Sequence, residues 1–286
     1  MAITRGGYEL GVTQQALTEG VRRYYDRQQT DRNLLLGGAF GIVNHHFGIG
    51  DFDRSVAPDE LPQEVIAQRL HGLEMNQIDV LLEQMGEVRP EHRVLDAGCG
   101  RGGTALSIVE RTGASVDGIT ISPYQHDFAA ALARRRGLSA RLRFQLMNYL
   151  ELAFPDACFD HVLTNESTQY VLDVRDLVAG FARVLRPRGR YTCATWCANE
   201  EFEGRNEFVE PINLHYGTSI NSRRDYLEAL EKHGFRSIEV DDRTEQAIPY
   251  WELRCQWQHR SGVELDFLFG HRERKILYLY IHGTLA

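Results

Sequence analysis

Arg93-Val94-Leu95-Asp96-Ala97-Gly98-Cys99-Gly100-Arg101-Gly102-Gly103 joins a short apolar run to a glycine-rich turn, and a helical pattern over Thr104–Glu110 follows. Val94 and Leu95 read as the end of a buried strand. Gly98 and Gly100 let the backbone turn sharply and approach a ligand. Such a turn ends at a helix N-terminus with free backbone N–H groups, where an anionic group is favoured. No acidic residue closes the next apolar run, which ends at Thr120, so the loop does not read as the dinucleotide fingerprint of hydride-transfer enzymes. A glycine-rich loop can also be a structural turn, and the order of residues downstream decides between the two.

From Val94 onward, short apolar runs alternate with helical patterns, the signature of βαβ units and a mainly parallel sheet. The runs predict strands at Val94–Asp96, Ser115–Thr120, Leu142–Met147, His161–Thr164 and Arg190–Trp196. Leu177, Phe181, Val184 and Leu185 recur at helical spacing and predict a helix over Asp173–Val184, with Arg188-Gly189-Arg190 as the turn into the next strand. Two segments lie outside the alternation, and the expected division follows from them. Residues 1–92 form a cap and substrate-binding segment, residues 93–286 the α/β core, and an insertion near 198–217 adds to the cap. Ser237–Asp242, Glu252–Gln258 and Ile276–Tyr280 read as closing strand or helix material.

The 286 residues suffice for one large α/β domain with a substantial cap. Against 32 basic side chains stand 40 acidic ones, and the net charge of −8 weighs against a nucleic-acid or anionic-membrane partner. An anionic substrate must therefore be met by local groups. The five cysteines, Cys99, Cys158, Cys193, Cys197 and Cys255, lack metal-ligand spacing and read as reduced thiols of a cytoplasmic protein. No apolar run approaches the ~20 residues of a membrane span, and the N-terminus lacks a signal-peptide pattern.

Asp96-x-Gly98-x-Gly100 at the end of a first strand resembles the first motif of class I S-adenosylmethionine-dependent methyltransferases. The resemblance implies a doubly wound, mainly parallel Rossmann-like sheet with an N-terminal helical cap. In such a sheet, ligands bind beyond the carboxyl ends of the strands, so the residues after each strand become site candidates. After the first come Asp96, Gly98 and Gly100, for the methionine part of the cofactor. After the second come Thr120 and, one helical turn later, Gln125; a hydroxyl and an amide can satisfy ribose hydroxyls with hydrogen bonds of ~1 kcal/mol each. After the third, Asn148 suits an adenine amino group and Tyr149 its ring. Thr120 and Asn148 can equally be a helix N-cap and a turn residue. After the fourth strand, Glu166 is placed either as a base that takes a proton once a methyl group has reached carbon, or as a carboxylate facing the next helix dipole.

The N-terminal segment holds a second constellation: Tyr24-Tyr25-Asp26, Asn33 and Phe40-Gly41-Ile42-Val43-Asn44-His45-His46-Phe47-Gly48-Ile49-Gly50. Adjacent histidines rarely chelate one ion, and no third ligand stands at a recognisable spacing. They suit hydrogen bonds to phosphate oxygens or closure over the cofactor; a glycine-rich loop with satisfied histidines is the alternative. Tyr24-Tyr25, Asn33, Asn44-His45-His46-Phe47-Gly48-Ile49-Gly50, the loop at Asp96–Gly100 and Asn165-Glu166-Ser167-Thr168 together are similar to the bacterial geranyl diphosphate C-methyltransferase family, over most of the chain. The departure lies at Val43 and Asn44, where an aromatic and a histidine are expected.

This resemblance implies methyl transfer from S-adenosylmethionine to an alkene carbon of geranyl or farnesyl diphosphate, with Glu166 as the active-site carboxylate. The first fifty residues would close over the prenyl chain and its diphosphate with Mg²⁺. Tyr25, Phe47, Tyr170, Trp196 and Phe208 are candidate walls, since aromatic faces stabilise a cation by roughly 0.5–2 kcal/mol each. Asn33, His45, His46 and the pair Arg223-Arg224 are candidates for the diphosphate, with Mg²⁺ held mainly by phosphate oxygens and by Asn33 or His45. Arg272 and Arg274 read as a solvated helix face. A homo-oligomer is expected, with a small isoprenoid diphosphate as ligand. Competing readings are a C-methyltransferase of isopentenyl diphosphate or of a sterol- or tocopherol-like lipid, a small-molecule N- or O-methyltransferase, and a non-catalytic partner subunit that keeps the fold.

Overall fold

The computed structural model of the chain describes residues 13–27, 32–38 and 41–286, with the backbone alone at 4–5, 8–9, 27, 32 and 33. A short antiparallel pair, β1 (Thr4–Arg5) and β2 (Tyr8–Glu9), precedes α1 (Gln14–Arg27), α2 (Arg32–Gly37) and α3 (Gln63–Met85). The alternation then runs β3 (Arg93–Ala97), α4 (Gly103–Thr112), β4 (Ser115–Thr120), α5 (Pro123–Arg135), β5 (Leu142–Leu146), β6 (Phe159–Asn165), α6 (Val174–Val184) and β7 (Leu185–Ala198). The chain continues through α7 (Val209–Tyr216), α8 (Arg223–Lys232), β8 (Phe235–Asp242), α9 (Thr244–Gln256), α10 (Glu264–Arg272) and β9 (Ile276–Leu285).

Seven strands form one sheet in the order β5-β4-β3-β6-β7-β9-β8. Strands β3 to β7 pair in parallel, and β9 runs antiparallel between β7 and β8. The strand order reverses between β3 and β6, which opens a crevice at their carboxyl ends. β3 is buried almost throughout, as expected of a parallel strand covered on both faces. One face packs against α3, α4, α5, α9 and α10 through Leu70, Leu106, Leu132, Trp251 and Phe267. The other packs against α6 and α8 through Leu177, Phe181, Tyr226 and Leu230.

One expectation changes in detail. Arg188-Gly189-Arg190 is not a turn ahead of the strand: β7 already begins at Leu185, Arg188 sits at φ +66°, and the register shifts between Phe159 and His161. A bulge inside the strand absorbs the bend. The segment after β8 is helical, and α9 and α10 join α3 in one layer. Among the described residues, no helix is long and apolar enough to cross a membrane.

Candidate active site

A cleft opens at the carboxyl ends of β3 to β6, lined among others by Asp96, Gly98, Gly100, Thr120, Gln125, Asn148 and Tyr149. Gly98 lies at φ +88°, and a Cβ on it would come within 2.4 Å of Ser167 Cβ. Ser167 is held in place, because its Oγ donates to the Ala97 carbonyl at 2.7 Å. Only glycine lets the loop pass there. The Gly98 and Cys99 N–H groups both donate to the Ile119 carbonyl, at 3.0 and 2.9 Å. These amides tie the loop to β4 and are not the free donors that the turn predicts.

Asp96 is 1% exposed, and neither carboxylate oxygen makes a well-formed hydrogen bond. Burial pushes its carboxyl up to about 7. A buried acid left in this state is costly unless a ligand brings donors or positive charge to it. Thr120 Oγ1 donates to Gln125 Oε1 at 2.7 Å and accepts from the Ser122 N–H at 3.2 Å. Ser122 is the N-cap of α5, so Thr120 is released from that role; it orients Gln125 and leaves the Gln125 amide NH₂ as donor. Asn148 Oδ1 accepts from the Leu150 N–H at 3.1 Å, which is the turn role, while its NH₂ stays available. The Tyr149 hydroxyl donates to the Ser167 carbonyl at 2.9 Å.

Glu166 follows β6 directly. Its backbone sits at φ +49°, a conformation that costs an L residue ~1–2 kcal/mol, and its N–H is held by the Ala194 carbonyl of β7 at 2.9 Å. The side chain lines the cleft and is 8% exposed. Oε1 accepts the Phe47 N–H at 2.9 Å and the Tyr278 hydroxyl at 2.5 Å. Burial pushes this acid up to about 8, against the hydrogen bonds from Tyr278, the Phe47 amide and the Trp196 side chain, which favour the ionised form. Backbone strain and a shifted pKa coincide here, a combination that clusters at functional sites.

Helix α1 and the 41–50 loop roof the cleft. Gln14 Nε2 donates to the Tyr170 carbonyl at 3.1 Å, and Gln14 Oε1 accepts from the Leu172 N–H at 2.8 Å. From the same side, Asp26 Oδ1 accepts from Ser122 Oγ at 2.6 Å. The Tyr25 and Tyr170 hydroxyls lie 2.5 Å apart, and the Tyr25 ring packs edge-on against Tyr170 and His45. His45 and His46 both line the cleft. His46 is buried, and burial pushes its imidazole down to about 4; its Nδ1 meets the Phe47 carbonyl at 3.0 Å. With Nδ1 as the donor, Nε2 is an acceptor, so neutral His46 has no N–H for a phosphate oxygen.

The Phe47 ring enters an aromatic cluster, with centroids 4.5 Å from Trp251, 5.1 Å from Phe267, 6.0 Å from Trp196 and Tyr250, and 6.4 Å from Tyr216. Phe208 is not one of these rings: it faces the Lys275 ammonium at 5.4 Å. Arg223 and Arg224 are ion-paired with Glu200 and Glu203, and Arg272 and Arg274 with Glu252 and Asp242, so neither pair is spare charge for an anion. Asn33 belongs to α2, and its side chain lies outside the described residues. Among the described residues, no group of three or more His, Cys, Asp or Glu could hold a metal ion.

Sequence reasoning missed Tyr216, Tyr250, Trp251, Phe267 and Tyr278. Each sits in a local apolar pattern that reads as core. Tyr278 meets Glu166 across 112 positions of chain, and no spacing signals that.

The methyltransferase domain family matches residues 95–193. Over 281 residues the chain is 36% identical to the geranyl diphosphate 2-C-methyltransferase of Saccharopolyspora erythraea, with 98% of each chain covered. Its structure is similar to that of a geranyl diphosphate methyltransferase in complex with GPP and sinefungin, with a TM-score of 0.90, 33% identity, and 94% of this chain and 100% of that one covered. It is also similar to the geranyl diphosphate C-methyltransferase of Streptomyces coelicolor A3(2) in complex with Mg²⁺, geranyl-S-thiolodiphosphate and S-adenosyl-L-homocysteine, with a TM-score of 0.89, 32% identity, and coverage of 94% and 98%.

Proposed function

Because the chain belongs to the geranyl diphosphate C-methyltransferase family, we propose that it moves the methyl group of S-adenosylmethionine to an alkene carbon of an allylic prenyl diphosphate, geranyl or farnesyl diphosphate, and that Glu166 then takes a proton. The observation that carries this reading is a buried, cleft-facing carboxylate, aimed by a strained backbone and raised toward neutrality. Transfer to nitrogen or oxygen seldom needs such a base; transfer to an alkene carbon leaves a carbocation that does.

The cleft fits the cofactor. Gly98 and Gly100 give room for its methionine part, Asp96 offers two buried oxygens to donors, Gln125 held by Thr120 suits the ribose, and Asn148 and Tyr149 suit the adenine. Bound there, the cofactor supplies an electrophilic methyl group. Tyr25, Tyr170 and the cluster of Phe47 and Trp196 supply aromatic faces around Glu166 and exclude water. Mg²⁺ comes with the diphosphate oxygens as part of the substrate, and among the described residues no cluster of carboxylates, histidines or cysteines takes that place; Asn33 and His45 are the side chains proposed to meet it. A cytoplasmic location, homo-oligomeric assembly and a covering role for residues 1–92 and 198–217 belong to the same reading.

Labelled S-adenosylmethionine and isoprenoid diphosphates of increasing length test it, with products read by mass and NMR. The expected outcome is methylated geranyl or farnesyl diphosphate, no product from the monophosphates, and at least a tenfold loss of rate with chelator, on the order of 1.4 kcal/mol. Methylation indifferent to chelator, or preferring a sterol, would remove the diphosphate. The pH profile is a second check. A base must be ionised to act, so kcat/KM is expected to rise through a midpoint near 8, where Glu166 titrates. In kcat the midpoint falls lower, because a cation beside the carboxylate favours its ionised form. A profile flat between roughly pH 6 and 9 would take Glu166 out of the step.

A further inference from the structure

The hydrogen bonds that the Phe47 amide and the Tyr278 hydroxyl make to the Glu166 carboxylate land on the same oxygen, Oε1, with the Trp196 side chain also beside the carboxylate. One donor is a backbone amide of the roofing loop. The other, Tyr278, is fully buried on β9, opposite Trp196 of β7. Its N–H donates to Thr244 Oγ1 at 3.1 Å, and its carbonyl accepts from the Arg243 N–H at 2.8 Å. Its ring stands edge-on to that of Tyr280 at 6.0 Å, and the Tyr280 hydroxyl is anchored on the Gln77 carbonyl at 3.0 Å. A side chain locked on this many sides fixes where the carboxylate points.

We propose that Tyr278 is the positioning residue of the proton-transfer step: it pins Oε1 of Glu166 and thereby leaves Oε2 as the atom that receives the substrate proton. The proposal rests on Glu166 being the base. In the step, a C–H bond beside the cationic carbon breaks, its electron pair restores the alkene, and the proton bonds to Oε2 to give neutral Glu166. Tyr278 keeps its own proton, since burial and the adjacent carboxylate hold its phenol well above the ordinary range. It therefore donates to Oε1 before and after transfer, and more strongly to the ionised form.

The groups that face Glu166 are Tyr278 and Tyr280 of β9, Trp196 and Cys193 of β7, the Phe47 amide, Glu74 of α3 and Tyr250 of α9. Burial raises the Glu74 carboxyl, and its charge adds to the upward push on Glu166, against which the Tyr278 hydroxyl acts. Removing the Tyr278 hydroxyl thus moves the base in one direction, upward.

The test is the pH profile of Tyr278→Phe. The acidic limb of kcat/KM is expected to move up by about one pH unit, which reads as about tenfold lower rate below the midpoint, with KM and cofactor affinity within about threefold. Tyr280→Phe, equally buried but bonded to Gln77, is expected to leave the midpoint in place. Site-specific 3-fluorotyrosine at 278, a more acidic donor of nearly the same size, is expected to move the limb down, and it decides the matter if Tyr278→Phe does not fold. A midpoint unmoved by either replacement overturns the proposal. Glu166→Gln separates the two levels: if that variant is inactive and the midpoint still does not move at Tyr278, the positioning role alone falls; if it remains active, the base assignment falls with it.

Discussion

Glu166→Gln is expected to lower product formation by about 10²–10⁴-fold, roughly 3–5 kcal/mol of transition-state stabilisation, while cofactor affinity stays within about threefold. The substitution is close to isosteric. The amide oxygen can still accept the Phe47 N–H and the Tyr278 hydroxyl, which hold Oε1 at 2.9 and 2.5 Å, so the end of the side chain stays where it is. The NH₂ group then replaces Oε2, and an amide nitrogen has no basic lone pair for a proton. It also lacks the negative charge that would stabilise a cation nearby in a site of low dielectric. Incorporation of labelled methyl at saturating substrate, beside calorimetric titration of S-adenosylmethionine, separates chemistry from binding. Turnover within tenfold of the parent enzyme would exclude Glu166 as base and point to methylation of a heteroatom.

Gly98→Ala is expected to weaken cofactor binding by about tenfold to a few hundredfold, and the reason lies in two adjacent constraints. The φ of +88° alone costs an L residue ~1–2 kcal/mol, and the new Cβ would stand 2.4 Å from Ser167 Cβ. Relief requires Ser167 to give up its bond to the Ala97 carbonyl, a further ~0.5–1.5 kcal/mol, and to move the segment whose preceding residue is Glu166. The loop that seats the cofactor and the base that completes the reaction are therefore disturbed together. At Gly100 the same Cβ would meet His45 at 3.6 Å, an ordinary contact, so Gly100→Ala is expected to be milder. Unchanged cofactor affinity in a folded Gly98→Ala protein would show that the ligand does not rest on this turn.

The strand positions and the line of residues along the cleft were readable in the chain itself. Buried parallel strands are apolar runs, glycines mark where the backbone bends back, and an open sheet whose strand order reverses sends its ligands to the strand ends. Asp96, Gln125, Asn148 and Glu166 could be found in this way, because each stands at or beyond the carboxyl end of a strand. Hydrogen-bond assignments were less legible. The Gly98 and Cys99 amides are consumed by Ile119, His46 spends its N–H on a neighbouring carbonyl, and the arginine pairs are already neutralised.

Periodicity and turn chemistry depend on residues a few positions apart, so they settle helices, strands and the glycine loop before any folding is known. The aromatic cluster around Phe47 and the Tyr278 bond to Glu166 arise where β7, β9 and helices α7, α9 and α10 cross in space. A tyrosine or tryptophan within an apolar run looks the same whether it fills a core or aims a carboxylate. Packing at long range makes the difference, and local pattern carries no record of it.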